Sequence, residues 1–169
     1  PLTSNDASSS EVLGFILETL LTRDPRTLVL KPLIAEARPE IAADKLTYTF
    51  KLRRDARFQD GRPITGEDVL FSVKAIKCPF VNAPFLRVYF NSLVDAQLVD
   101  PYTIRFVTKE TYFLNESVLG GIMVLPRHYY DPENLLEKVG VRDLVRDPDT
   151  LSSQVKKFGD QFNKNYSRN

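Results

Sequence analysis

The stretch from Leu46 to Val73 constrains the fold of this chain more than any other, because its hydrophobic pattern changes period part-way along. From Thr47 to Arg53 polar and apolar residues alternate, and the apolar side chains share one side: Tyr48, Phe50 and Leu52. Such alternation predicts a β-strand with one buried face. Asp60-Gly61 is a dipeptide typical of turns, and Pro63 restricts the backbone just after it. The first half of the stretch therefore predicts a strand followed by a turn.

The second half of the stretch predicts a helix. Thr65 has the side chain of a good N-cap, and Asp68 can complete a capping box with it. Glu67 adds negative charge to the same first turn, where it complements the helix dipole. Apolar residues then recur at helical spacing: Val69, Val73 and Ile76. A strand, a turn and a capped helix in succession are typical of an α+β core and indicate no chemistry by themselves.

The order of residues in this stretch closely resembles the signature region of the family 5 extracellular solute-binding proteins. These are the oligopeptide-, dipeptide- and nickel-binding receptors of ABC importers. The family's Tyr-Thr-Phe strand and Leu-Arg pair correspond to residues 48–50 and 52–53, and its Phe-x-Asp-Gly-x-Pro turn corresponds to residues 58–63. Its Thr-x-x-Asp-Val-x-Phe-Ser helix start corresponds to residues 65–72. Gln59 stands where the family often has His, which is a small departure at a turn position.

The part of the chain before this stretch also resembles the opening of the family. Residues 12–20 place apolar side chains on one face of a helix, which we expect to run to about Thr22. Leu28 to Leu30 predicts a short strand, and Pro32 to Ala37 predicts a helical turn. Lys45 stands where most members have Gly.

The part of the chain after Val73 predicts a hairpin and further helices. Leu93–Val99 and Thr103–Thr108 are strand-like runs joined by Asp100-Pro101-Tyr102, a turn signal. Residues 77–89 predict a loop followed by a short helix, and Phe113–Leu119 predicts another. A last amphipathic helix is indicated by apolar residues at helical intervals: Leu151, Val155, Phe158 and Phe162.

These elements predict an α+β fold, mainly an antiparallel sheet with packed helices. The resemblance implies that this is part of the first lobe of a two-lobed periplasmic-binding-protein-like fold. On that basis residues 1–36 begin the larger subdomain of lobe one, residues 37–149 form a small peripheral α+β subdomain, and residues 150–169 return as a helix to the larger subdomain. It also implies an N-terminal fragment that lacks the second lobe, from a longer protein with a signal peptide.

Composition and motifs give no indication of an enzyme, a nucleic-acid partner or a bound cofactor. Lys and Arg total 23 and Asp and Glu total 22, so a net charge of +1 gives no electrostatic reason to bind nucleic acid or an anionic membrane. No apolar run is long enough for a membrane span. His128 and Cys78 are the only residues of their types, and no metal-ligand spacing, G-x-S-x-G motif or phosphate-binding glycine loop is present. We predict no catalytic residue, metal or cofactor, and interpret His128 as structural.

Four arginines cluster along and after the predicted strand: Arg53, Arg54, Arg57 and Arg62. They are either the solvated face of a strand and turn or a patch that docks a partner or an anion.

One loop has a functional interpretation, and it comes from the resemblance. In the family, the loop just before the first helix lines the cleft between the lobes and meets the main chain of the ligand. Here the corresponding residues are Asn5, Asp6, Ala7, Ser8 and Ser9. Small residues allow close approach of the backbone, and an extended loop can offer strand-like hydrogen bonds to a peptide. The alternative is a simple loop that caps the helix after it.

The resemblance implies the substrate-binding component of an ABC importer. Such a protein binds a peptide or similar small solute between two lobes and delivers it to the permease subunits. Its location would be periplasmic or extracytoplasmic, either lipid-anchored or free, with no stable membrane insertion of this segment. The alternatives are a stand-alone α+β interaction domain and a ligand-sensing module derived from the same fold.

Overall fold

The computed structural model describes residues 17–145 and 148–166. Two antiparallel sheets are formed. The smaller pairs β1 (Leu21–Arg23) with β2 (Leu30–Pro32). The larger has the strand order β3-β4-β6-β5, and its strands are β3 (Glu40–Ile41), β4 (Thr47–Lys51), β5 (Leu93–Asp100) and β6 (Thr103–Thr108). This mixture of helices and antiparallel strands confirms the predicted α+β class.

Five α-helices lie within the described residues. They are α1 (Gly66–Lys77), α2 (Pro84–Tyr89), α3 (Asn115–Gly120), α4 (Arg127–Tyr130) and α5 (Ser153–Tyr166). Two short 3-10 helices, Asp143–Val145 and Pro148–Thr150, precede α5. Helix α1 contacts β5 and β6, so it lies across the hairpin side of the sheet.

The stretch that most constrained the prediction folds as expected. In β4 the side chains of Tyr48 and Phe50 are buried, and Lys51 is exposed. Phe50 packs edge-on against Phe106 of β6, with 5.7 Å between the ring centres. Aromatic pairs in this geometry stabilise a core beyond the area they bury. The predicted alternation therefore sets one face of the sheet against the core.

The predicted turn and helix cap also form. Gly61 has φ +84°, a conformation that favours glycine, and its N–H donates to the carbonyl of Phe58 at 2.9 Å. Asp68 completes the capping box at the start of α1, where its Oδ2 accepts from the N–H of Thr65 at 3.0 Å. The predicted turn and capped helix are thus confirmed, and the strand is confirmed over Thr47–Lys51 rather than to Arg53.

The hairpin and the final helix are confirmed as well. β5 and β6 pair antiparallel around Asp100-Pro101-Tyr102, with irregular register at both ends of β5. The predicted apolar positions of α5 that face the core are buried: Val155, Phe158 and Phe162. Phe158 lies edge-on to Phe71 of α1 at 5.9 Å, so the two helices share one core.

Three predictions for the N-terminal part are wrong in the described residues. The helix does not continue to Thr22: Thr19 pairs with Met123 and β1 begins at Leu21. The strand predicted from Leu28 begins only at Leu30, because Leu28 takes a positive φ in the turn before it. The helical turn predicted for Pro32 to Ala37 is instead extended or bent, and Ala35 pairs with Leu52. In the first and third cases pairing with a more distant segment overrides a local pattern, whereas the second is set by the turn between β1 and β2. Residues 12–16 of the predicted helix lie outside the described residues.

Candidate functional site

The predicted ligand loop, Asn5 to Ser9, lies outside the described residues. The described chain begins at Leu17, eight residues after Ser9. The contacts of residues 17–19 are therefore the described contacts nearest to that loop in the sequence. Leu17 is buried, and the carbonyl of Glu18 accepts a hydrogen bond from the N–H of Val124 at 2.9 Å. With the pairing of Thr19 and Met123, this forms a short antiparallel contact between two distant segments. We call this contact the junction (residues 17–19 and 123–125).

The far side of the junction is held by two polar side chains of α1. Ser72 Oγ accepts from the N–H of Leu125 at 2.8 Å and donates to the carbonyl of Asp68 at 2.7 Å. Asp68 Oδ1 accepts from the N–H of Arg127 at 3.1 Å. Both side chains are buried, where an unmade hydrogen bond is costly. Asp68 and Ser72 form what we call the α1 clamp, which fixes the backbone from Leu125 to Arg127.

A third contact ties the predicted turn to the same segment. His128 Nε2 lies 2.7 Å from Asp60 Oδ2, and the His128 ring packs edge-on against Phe58 at 5.9 Å. The pKa of Asp60 is lowered, first by the hydrogen bond from the N–H of Arg62 and then by His128. This partnership agrees with the structural interpretation of His128.

A small pocket of about 130 Å³ opens beside the junction. Its lining joins the entering chain to the turn and includes the following residues: Leu17, Glu18, Arg57, Phe58, Gln59, Ile64 and Val124. Gln59, the position that departs from the family pattern, therefore lies beside the residues through which the N-terminal segment enters.

The four clustered arginines have partners within the chain. Arg53 pairs with Asp55 at 2.8 Å, and Arg54 lies 5.2 Å above the ring of Tyr102. Arg57 donates to two nearby backbone carbonyls, and Arg62 lies 3.6 Å from the carboxylate of Asp60. Local pairing of this kind favours the solvated-face interpretation over a docking patch.

Two surfaces expose large apolar side chains. On α2, Phe85, Val88 and Tyr89 lie at helical spacing and are each about two-thirds exposed. Near the end of β6, Tyr112 and Phe113 stack edge-on at 4.8 Å beside an open depression of about 640 Å³. Clusters of exposed apolar side chains such as these are typical of surfaces that contact a ligand or another protein. The sequence patterns did not single out either surface, because their spacing resembles that of ordinary core residues.

Among residues 17–145 and 148–166, no group of three or more His, Cys, Asp or Glu side chains could hold a metal ion. The same residues include no helix long and apolar enough to cross a membrane. Cys78 is buried, and burial raises the pKa of its thiol.

Comparison with known proteins agrees with the fold and the signature unit. Residues 29–167 match the family described as "Bacterial extracellular solute-binding proteins, family 5 Middle". The chain is 31% identical over 84 residues to the probable peptide-binding protein YejA of Agrobacterium fabrum, covering 49% of this chain and 13% of YejA.

Solved structures show the same relationship. Listeria monocytogenes OppA bound to peptide matches 79% of this chain and 29% of its own, with a TM-score of 0.70 and 21% identity. Campylobacter jejuni NikZ in complex with Ni(L-His) matches 78% of this chain and 24% of its own, with a TM-score of 0.61 and 27% identity. The chain thus spans less than a third of each of these relatives. It belongs to family 5 of the bacterial extracellular solute-binding proteins.

Proposed function

We propose that this chain is part of the first lobe of a receptor that captures a peptide or similar small solute for an ABC importer. Closure of two lobes about a hinge would enclose the solute, and docking to the permease subunits would deliver it. Such closure is a shift between two populated conformations and needs no covalent chemistry. We propose no enzymatic activity, and a periplasmic or extracytoplasmic location.

The observation that carries this proposal is the family match over residues 29–167, with the signature unit folded as a strand, turn and capped helix. The name of YejA and the peptide bound to OppA favour a peptide as the solute. A second solute class is favoured by NikZ, which holds a nickel–histidine complex. Both classes are therefore included in the test.

We further propose the division into residues 1–36, 37–149 and 150–169, with Asn5, Asp6, Ala7, Ser8 and Ser9 lining the solute cleft. The junction supports this assignment, because it anchors the chain that leads from the loop.

The test is solute-dependent thermal stabilisation of the complete gene product. We would measure unfolding with pools of di- to nonapeptides and, separately, with Ni²⁺ plus L-histidine. A solute at a hundred times its Kd stabilises the native state by about 2.7 kcal/mol, which is a clear shift in Tm. A shift with peptides supports the proposal, and a shift with nickel–histidine alone replaces peptide by that solute. No shift with either panel, or with sugars and opines, argues for the interaction-domain alternative.

A matched pair of variants then tests the loop. Ala7→Trp places a bulky side chain where close backbone approach is proposed, whereas Ala37→Trp adds the same group to an exposed position before β3. We expect only Ala7→Trp to abolish the solute-dependent shift. Equal responses of the two variants would remove the loop from the site.

A further inference from the structure

We propose that Ser72, supported by Asp68, is a positioning residue for the entering segment Leu17–Thr19. This inference rests on the proposed function for its consequence, but its structural part can be tested without a solute. The family signature ends at Ser72, yet nothing in a helix-forming pattern requires a serine there. Its contacts supply the reason.

The first step is the bonding of Ser72 itself. Its side chain is fully buried in the middle of α1, where serine has no propensity advantage. The hydroxyl donates to the carbonyl of Asp68 one turn earlier, which orients its lone pairs away from the helix. The N–H of Leu125 donates to that oxygen at 2.8 Å. Because Leu125 is also fully buried, water cannot replace this acceptor.

The second step carries the position of Leu125 to the entering segment. The neighbouring N–H, that of Val124, donates to the carbonyl of Glu18 at 2.9 Å. Met123 pairs with Thr19, whose carbonyl accepts from the N–H of Ile34 at 3.2 Å. Ser72 thus bonds directly to the junction at Leu125, the residue next to the one whose N–H holds Glu18, and the junction is the contact made by the first described residues of the chain.

The third step is the second anchor. Asp68 holds the N–H of Arg127 at 3.1 Å, two residues beyond Leu125. Because the N–H groups of both Leu125 and Arg127 are held by α1, the segment between them is restrained in its orientation as well as in its distance from the helix. A purely stabilising role would predict that loss of Ser72 lowers stability alone, whereas positioning predicts an additional change at Glu18 and Thr19.

The experiment compares Ser72→Ala with Ser92→Ala in the complete protein by hydrogen exchange. Ser92 is a matched control because its half-buried hydroxyl also donates a hydrogen bond, to Asn115 at 3.1 Å, and Asn115 is not part of the junction. Relative to the paired amides of β4 and β6 in the same protein, which report any global loss of stability, we expect exchange of the Val124 and Ile34 amides to rise about tenfold or more in Ser72→Ala and to stay unchanged in Ser92→Ala. A rise confined to Leu125 would overturn the proposal.

A second variant covers the case in which Ser72→Ala does not fold. Ser72→Cys has a similar volume and a weak donor and acceptor, so it should raise exchange of the same two amides by a smaller factor. Unchanged exchange at Val124 in Ser72→Cys would count against the proposal.

A binding measurement then tests the consequence, with a tryptic digest of casein as the probe. If the wild-type protein binds a peptide from the digest, Ser72→Ala should weaken the affinity for that peptide about fivefold or more, and Ser92→Ala should not. Equal affinities would overturn the role in solute binding. If the wild type binds nothing, the peptide proposal fails, while the exchange measurement still decides whether Ser72 positions the junction.

Discussion

Helix α5 approaches the turn after α1 so closely that a single methyl group at Gly159 should disrupt their contact. A Cβ built on Gly159 would lie 2.2 Å from Cβ of Phe80 and 2.8 and 2.9 Å from its carbonyl carbon and oxygen. Two of these three atoms are backbone, so rotation of a side chain cannot relieve the overlap. Either α5 or the turn would have to move in Gly159→Ala.

The expected magnitude is the difference between two opposing effects. Alanine favours a helix interior over glycine by about 1 kcal/mol. Overpacking that shifts backbone costs up to about 3 kcal/mol. The shift would also strain two bonds of Asn163, which donates to the carbonyl of Phe80 at 2.7 Å and accepts from the N–H of Asn82 at 2.9 Å. We therefore expect Gly159→Ala to lower the free energy of unfolding by about 2 kcal/mol.

Urea unfolding followed by far-UV circular dichroism measures this change. With a slope of about 2 kcal/mol per molar, the midpoint should fall by about 1 M. The matched control is Asp160→Ala, the next residue of α5, which is exposed and gains helix propensity without a clash. That control should raise the free energy of unfolding by about 0.5 kcal/mol. If Gly159→Ala is as stable as the control, the close packing of α5 on the turn is refuted.

Three further perturbations test other contacts. Burial, with a smaller effect of Lys109, lowers the pKa of Lys77 from 10.5 to about 8. The unfolded chain therefore binds more protons between these values, and the free energy of unfolding should rise as the pH increases through that window, less so in Lys77→Met. Urea titrations at several pH values measure this free energy, and a value that does not change between pH 8 and 10.5 would contradict the prediction. Gly61→Ala should cost about 1 kcal/mol in thermal unfolding and Gly61→Asn less, since φ is +84° and no atom obstructs a Cβ. Asp68→Ala removes the acceptor for the N–H groups of Thr65 and Arg127 and should cost about 2 kcal/mol in urea unfolding, with Asp68→Asn milder.

The elements that could be predicted from the sequence are those whose pattern and partners are local. The alternation in β4 and the capping box of Thr65 and Asp68 each depend only on residues that lie close together in the sequence. The same holds for the hairpin of β5 and β6, whose turn residues lie between its strands. Local information of this kind is available to a single sequence.

Two of the elements predicted wrongly depend on contacts between distant residues. Thr19 lies at a helical position of its own pattern, but its structure is set by Met123, more than a hundred residues away. Ala35 is likewise held extended by Leu52. No periodicity within a short window contains such partners. The junction, and with it the role of Ser72, could not be predicted for the same reason.

The contacts of the signature unit explain why it identifies the family better than it identifies the solute. Asp60 and Gly61 form the turn, and Asp60 also contacts the His128 side chain. Asp68 caps α1 and holds the N–H of Arg127, and Ser72 holds the N–H of Leu125. OppA and NikZ share this fold with the chain, and their structures contain a peptide and a nickel–histidine complex respectively. The contacts of the unit that are described above are made within the chain. Under the proposed function, we therefore expect variants of the α1 clamp to change the affinity for any solute rather than to exchange one solute for another.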